Sequence, residues 1–262
     1  MRFSMCTTWG KAQPLEDIIS IAASMQLNGV EIWDGHIDDY LRRNKGGMES
    51  LKAILLQNKL VCCAVSPYFN FLDKEKYKES IVCAKKCAQY ARELKCGIIR
   101  TFLGDSPSAG LNEEQKSKCV EGLRSITQMV ENDDICFALE THNGQPTDSV
   151  DFILFLIDQC KSSHLKVLFD GFNFYADGMD MMQAYDKLEE YTVHYHMKNY
   201  LWQQRIPTAL QKGDVDYKEL FLRLKKNEYR SFISFEYFCK QPQQIIGDSI
   251  KWAKCILTNN DN

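Results

Sequence analysis

The chain has 262 residues, 45% of them hydrophobic and 26% charged, the proportions of an ordinary globular protein with material for one large α/β domain or two small ones. A net charge of -3 excludes a protein whose main partner is a phosphate backbone or an anionic membrane surface, because both need a concentrated positive face. Eleven cysteines, an odd number without any Cys-x-x-Cys spacing, exclude a disulfide framework and a zinc ribbon and read as reduced core residues of a cytoplasmic protein. No long apolar stretch opens the chain, and the longest apolar run, 152–157, is far too short for a bilayer, so no membrane association is expected.

In chain order, residues 2–6 read as a strand, followed by a loop and a helix opened by Pro14, whose fixed φ suits a first helical position. Residues 29–33 form the second strand, whose exit at 34–37 reads as a loop passing Gly46 and Gly47 into a helix around 51–57. Strand three covers 60–65, and Ser66-Pro67-Tyr68 turns it toward a long helix with Tyr77, Ile81, Ala84, Ala88, Ala91 and Leu94 on one face, stopped by Gly97. Strand four, 98–102, is followed by a small-residue loop and a helix carrying Val120, Leu123, Ile126 and Val130. Strand five, 135–140, runs into a glycine turn and a helix capped by Asp148. Strand six, 165–170, precedes a loop, 171–178, and a short helix; strand seven, 191–196, precedes the longest irregular segment, 197–215, and a helix capped by Asp216. Strand eight, 231–236, is followed by a last helix from Pro242.

Eight strand-helix units of about 33 residues, with no linker between halves, predict a single (β/α)8 TIM barrel over residues 1–262. An open doubly wound sheet is disfavoured, since the first βα turn has no glycine-rich phosphate loop. Strands five to eight end on Glu140, Asp170, His196 and Glu236, and in a barrel those ends meet on the one rim where barrel enzymes keep their chemistry. Three carboxylates and one imidazole suit a single divalent ion, Mn²⁺, Mg²⁺, Co²⁺ or Zn²⁺, which would also relieve their mutual repulsion. The bland alternative is four strand ends that stop at solvent.

Residues 29–33 (Gly-Val-Glu-Ile-Trp), 99–102, 139–144 (Leu-Glu-Thr-His-Asn-Gly), 169–170, 194–199, 213–216 and 235–236 together resemble the xylose-isomerase-like sugar phosphate isomerases and epimerases, whose barrel also includes endonuclease IV. The resemblance covers essentially the whole chain. It implies that Glu140, Asp170, His196 and Glu236 are metal ligands and that Glu140 and Glu236 flank the reacting carbon as a pair of proton-transfer groups. Trp33 with His36, Arg100-Thr-Phe102, Glu140-Thr-His142 and 194–199 (His-Tyr-His-Met-Lys-Asn) are similar to bacterial 3-dehydroshikimate dehydratases, which implies a catalytic His142 and a pocket containing Arg100 and Lys198. Two features depart from that pattern. The loop after strand seven is shorter, and Asn173 stands where many relatives have a histidine.

The first reading is therefore a metal-dependent isomerase or epimerase of a small sugar or polyol derivative, in which a cation polarises a carbonyl and a base takes the adjacent proton. The alternative is a dehydratase of a cyclic polyhydroxy acid such as 3-dehydroshikimate or an inosose. An endonuclease is disfavoured by five histidines, Asn173 and the absence of excess positive charge. Either enzyme would take a small polyhydroxylated substrate, and a homo-oligomer is compatible with the sequence. Trp33, His36 and Tyr68 are expected to wall the pocket, although packing uses the same residue types. Glu31 is either a further rim carboxylate or a partner inside the barrel, and His194 reads as a packed histidine on the same side of its strand as His196.

Overall fold

Short runs rich in β-branched and aromatic residues form eight parallel strands in a computed structural model that describes residues 1–258. The strands are β1 (Arg2–Cys6), β2 (Gly29–Ile32), β3 (Val61–Val65), β4 (Ile98–Thr101), β5 (Cys136–Glu140), β6 (Leu165–Asp170), β7 (Thr192–Met197) and a last one, Phe232–Phe235. They close in the order in which they occur, with Phe3 of β1 opposite Ile233 and Met5 opposite Phe235. The predicted TIM barrel is thus the fold of the protein.

Helices sheathe the barrel: α1 (Leu15–Ser24), α2 (Asp34–Arg43), α3 (Gly47–Gln57), α4 (Lys74–Leu94), α5 (Glu113–Gln128), α6 (Val150–Cys160), α7 (Gly171–Ala176), α8 (Met181–Leu188), α9 (Lys218–Lys226) and α10 (Gln243–Thr258). The longer ones lay an apolar stripe on the strands; in α4 that stripe includes Ala84, Cys87, Ala88 and Ala91, whose small side chains let the helix approach closely. Among the described residues no helix is long and apolar enough to cross a membrane.

Several local expectations change, among them the loop 171–178, of which Gly171–Ala176 is helical as α7, and the cap of α9, where Tyr217 holds the N-cap position and Asp216 accepts from the Lys218 amide at 2.8 Å. Residues 34–43 are helical because Asp34 sits at the positive end of α2, Arg42 and Arg43 at its negative end, and Ile37 and Tyr40 reach the core. The long helix α4 stops at Lys95, which takes the left-handed conformation at φ 54, two residues before Gly97. Ser149, not Asp148, caps α6 by accepting from the Phe152 amide, while Asp148 Oδ1 accepts from the Ser108 amide. The segment 197–215 is not irregular: β8 (Asn199–Leu201) and β9 (Ile206–Thr208) pair antiparallel as a hairpin, and the final barrel strand is therefore β10.

Asn199 ties that hairpin to the segment that follows it. Its buried amide donates to the carbonyls of Leu210 and Val215, both at 2.8 Å, and accepts from the amides of Tyr200 and Val215. A Cβ on Gly213 would lie 2.2 Å from Asn199 Cγ, so only glycine leaves room for this knot. Gly213→Ala is expected to lower stability by about 1–3 kcal/mol through overpacking, read as a shift in denaturant midpoint. Gly247→Ala in α10, where an added Cβ meets nothing within 4 Å, is expected to raise it by about 0.5–1 kcal/mol.

Candidate metal centre

Parallel pairing puts Asp170 of β6 level with His196 of β7, and His196 level with Ser234 of β10, so these strand tips reach the same height on the rim. Glu140 ends β5, and Glu236 follows β10, extending the ladder by donating its amide to the Met197 carbonyl at 3.1 Å. The four side chains are all buried, and one donor atom from each lies within 4.8 Å of the others. The structure thus brings together all four predicted ligands.

The tips are held by their own loops. The Thr141 hydroxyl accepts from the Asp170 amide at 2.8 Å and donates to the Asp170 carbonyl at 3.1 Å, which locks β5 to β6 beyond the ladder. Asn173 belongs to the same clasp, its amide donating to the Thr141 carbonyl at 2.9 Å. Asp170 Oδ1 caps α7 through the Phe172 amide. The other carboxylate oxygen, Oδ2, is the one near the quartet, 2.7 Å from Lys198 Nζ.

Two buried cations meet these acids. Arg100 Nη1 donates to Glu140 Oε2 at 3.0 Å and lies 3.9 Å from Glu236 Oε1, while Nη2 donates to the Ser66 and Pro67 carbonyls. Its guanidinium packs against the paired Tyr68 and Phe102 rings, 4.4 and 4.5 Å from their centres. Lys198 Nζ pairs with Glu236 Oε2 at 3.0 Å as well as with Asp170. Glu236 therefore has Arg100 at one oxygen and Lys198 at the other.

Glu31, the residue whose role the sequence left open, lies inside the barrel against both histidines of β7. Its carboxylate accepts from His196 Nε2 at 2.9 Å, from His194 Nε2 at 3.0 Å and from the Ser66 hydroxyl. His196 turns its other nitrogen, Nδ1, to the quartet, 3.3 Å from Glu140 Oε1 and 3.8 Å from Glu236 Oε2. Burial opposes a charge on His196, but the acidic groups around it, Cys6 and Glu31 foremost, hold its pKa well above the ordinary histidine range. Burial also pushes Glu140 up, yet His196 and Arg100 outweigh it and hold the carboxyl far below its usual range. For Asp170 burial prevails over Lys198, and its pKa is raised.

Four buried carboxylates, Glu31, Glu140, Asp170 and Glu236, against the fixed cations Arg100 and Lys198 leave an excess of two negative charges when His196 is neutral. One divalent ion cancels that excess, and the oxygen and nitrogen donors suit a hard or borderline cation. The residues therefore fit a metal ion.

The remaining predicted residues divide. His142 is half-buried at the rim, packs edge-on to Phe102 at 5.3 Å and donates from Nδ1 to the Asn143 carbonyl at 2.8 Å. That bond leaves Nε2 unprotonated in the neutral ring. Tyr68 is exposed and stacks on Phe102 at 5.4 Å. Trp33 and Tyr68 both lie under the Lys11 ammonium, at 5.0 and 4.5 Å. His36 packs edge-on to Trp33 at 5.1 Å, with Nε2 donating to the Gly10 carbonyl and Nδ1 accepting from the Thr7 hydroxyl, so both nitrogens are spent on holding the first loop. Phe102 was legible as a neighbour of Arg100, since residues two apart on a strand face the same way. Nothing in the sequence marks Lys11.

The chain matches the model of the xylose isomerase-like TIM barrel over residues 19–255. It is 23% identical, over 280 residues spanning 100% of this chain and 98% of the relative, to a 3-dehydroshikimate dehydratase of Bacillus anthracis. A crystal structure of the probable 3-DHS dehydratase AsbF from that organism superposes with a TM-score of 0.86 over 100% of both chains, at 23% identity. The zinc-containing IOLI protein superposes at 0.81 with 15% identity, covering 98% of each chain. D-psicose 3-epimerase of Clostridium cellulolyticum H10, solved with D-tagatose, superposes at 0.80 with 14% identity, covering 98% of this chain and 99% of its own. With the family's model matched along nearly the whole barrel, this chain belongs to the xylose isomerase-like TIM barrel family.

Proposed function

We propose that the protein is a metal-dependent dehydratase of a small cyclic polyhydroxy acid of the 3-dehydroshikimate type. The observation that supports this reading is the pair of buried cations, Arg100 and Lys198, beside Glu236; in this reading they also receive a substrate carboxylate. A neutral sugar makes no comparable use of them. The full-length similarity to a 3-dehydroshikimate dehydratase supports the same choice.

The ligands in this reading are Glu140, Asp170, Nδ1 of His196 and Glu236. A divalent ion there, Mn²⁺, Mg²⁺, Co²⁺ or Zn²⁺, supplies Lewis acidity toward the substrate ketone and makes the adjacent C–H more acidic. His142 takes that proton at Nε2, the nitrogen left free by the Nδ1 bond to Asn143. The C–O bond of the β-hydroxyl then breaks as the C=C bond forms, and the departing hydroxide takes back the proton held on His142 Nε2, so that one water leaves and the ring returns to its neutral form. Tyr68, Phe102 and Trp33 wall the mouth and reduce access of bulk water to the ring of the substrate. The chain works in this reading as a cytoplasmic enzyme without nucleic-acid or membrane partners.

The second reading, an epimerase or isomerase of a ketose, is favoured by the likeness to D-psicose 3-epimerase and would give Glu140 and Glu236 the proton transfers. Glu140 is the weaker candidate for a base, because the His196 and Arg100 charges that hold its pKa down also lower its basicity.

Three outcomes follow from the first reading. The purified protein carries about one divalent ion per chain, as sites with three or four protein ligands do, and the Glu140→Gln, His196→Ala double variant loses it by elemental analysis. Incubation with 3-dehydroshikimate yields an ultraviolet-absorbing dihydroxybenzoate, whereas ketohexoses are not epimerised; the reverse pattern would establish the second reading. His142→Ala lowers kcat by about 10²–10⁴ with its metal content unchanged, and an unaltered kcat would remove His142 as the base.

A further inference from the structure

A ligating imidazole must turn a lone pair to the cation and give its other ring N–H to an acceptor. In this barrel the acceptor comes from across the interior. Glu31 Oε1 and Oε2 are both 2.9 Å from His196 Nε2, so the N–H points between the two oxygens, although β1 and β10 separate β2 from β7 in the closed sheet. The same carboxylate takes His194 Nε2 at 3.0 Å, and that nitrogen also lies 2.9 Å from the Ser234 hydroxyl. The Ser66 hydroxyl completes the set. All five residues are buried. Among the described residues no arginine or lysine is bonded to Glu31, whose partners are the two rings and the Ser66 hydroxyl.

A carboxylate kept inside a barrel only to balance charge would be matched by a fixed cation. Glu31 is bonded instead to two titratable rings, so that whatever charge it balances it also fixes their orientation. Nδ1 of His196 consequently faces Glu140 and Glu236, and the ring cannot flip without leaving the Glu31 oxygens opposite a carbon edge.

We infer that Glu31 is a positioning residue for the metal centre: by accepting the Nε2 proton of His196 it fixes the tautomer that presents Nδ1 to the cation. The inference rests on the quartet being a metal site. Loss of this acceptor is expected to weaken metal binding without removing any ligand. His194 acts as a brace, filling the second flank of the same carboxylate.

The test is titration of the metal-free protein with Zn²⁺ and Co²⁺, read as dissociation constant and stoichiometry, for the wild type, Glu31→Gln and Glu31→Asp, with circular dichroism to establish folding. Glu31→Gln keeps the size of the side chain but offers one acceptor oxygen and no charge; its affinity is expected to fall about tenfold to a hundredfold. Glu31→Asp keeps both oxygens and the charge and is expected to lose less. In the zinc-loaded wild type, ¹⁵N resonances are expected to show His196 protonated at Nε2 and ligated through Nδ1. A Glu31→Gln affinity within about twofold of wild type, far short of the usual effect of losing such an acceptor, would overturn the inference while leaving the metal site intact. So would a larger loss in Glu31→Asp than in Glu31→Gln, the pattern of a packing role, or ligation through Nε2. Absence of metal uptake by the wild type would overturn both this inference and the metal reading, and is distinguishable from the other outcomes.

Discussion

Bringing four carboxylates out of water at one end of a barrel is unfavourable unless nearly every oxygen meets a donor or a cation. Much of the architecture around the rim answers to that constraint. Arg100 is buried because it bridges toward Glu140 and Glu236, and its flat guanidinium in turn packs against the paired rings of Tyr68 and Phe102. Lys198 is buried because Asp170 and Glu236 require it, and its backbone is pinned by the Tyr217 hydroxyl at 2.8 Å. Asn199, the next residue, ties the following hairpin so that Lys198 has a fixed point of departure. The charge that these two cations leave uncompensated is what a divalent ion would supply.

The two histidines near the rim differ in chemistry because their acceptors differ. His196 gives its Nε2 proton to a carboxylate deep in the barrel and keeps Nδ1 among acids. His142 gives its Nδ1 proton to the carbonyl of its own neighbour and keeps Nε2 free at the mouth. One ring is thereby suited to hold a cation and the other to accept a proton, although both lie at the end of an apolar strand. In the proposed reaction the separation of their roles lies in the second partner of each ring.

That second layer is what the sequence conceals. Glu140, Asp170, His196 and Glu236 are legible because each ends an apolar run, and parallel strands in a barrel carry their carboxyl ends to one rim. Glu31 sits within a strand, 165 residues from His196 in sequence, and no local pattern encodes such a pairing. His36 reads as a pocket residue by its neighbour Trp33, yet its burial and its bonds to Thr7 and Gly10 are set by a loop that precedes it by 26 to 29 residues. The hairpin of β8 and β9 escapes detection because three-residue strands carry no periodic signal; Asn199 and Gly213 specify it instead. Helix α2 escapes because Gly35 and a dense run of charges suggest a turn, while Ile37 and Tyr40 supply the few core contacts that make it helical. Asn173 shows how a departure from a familiar pattern is absorbed. Where the resemblance implies a histidine, its amide reaches back to the Thr141 carbonyl and strengthens the clasp between β5 and β6.

The most direct test of this account is a crystal structure of the protein grown with Mn²⁺ or Zn²⁺, with anomalous scattering used to locate the ion. The account predicts a single strong peak among the Glu140, Asp170 and Glu236 carboxylates and Nδ1 of His196, with Nε2 still on Glu31. An ion bound elsewhere, or a rim without an ion and with Lys198 alone between Asp170 and Glu236 at saturating metal, would contradict it.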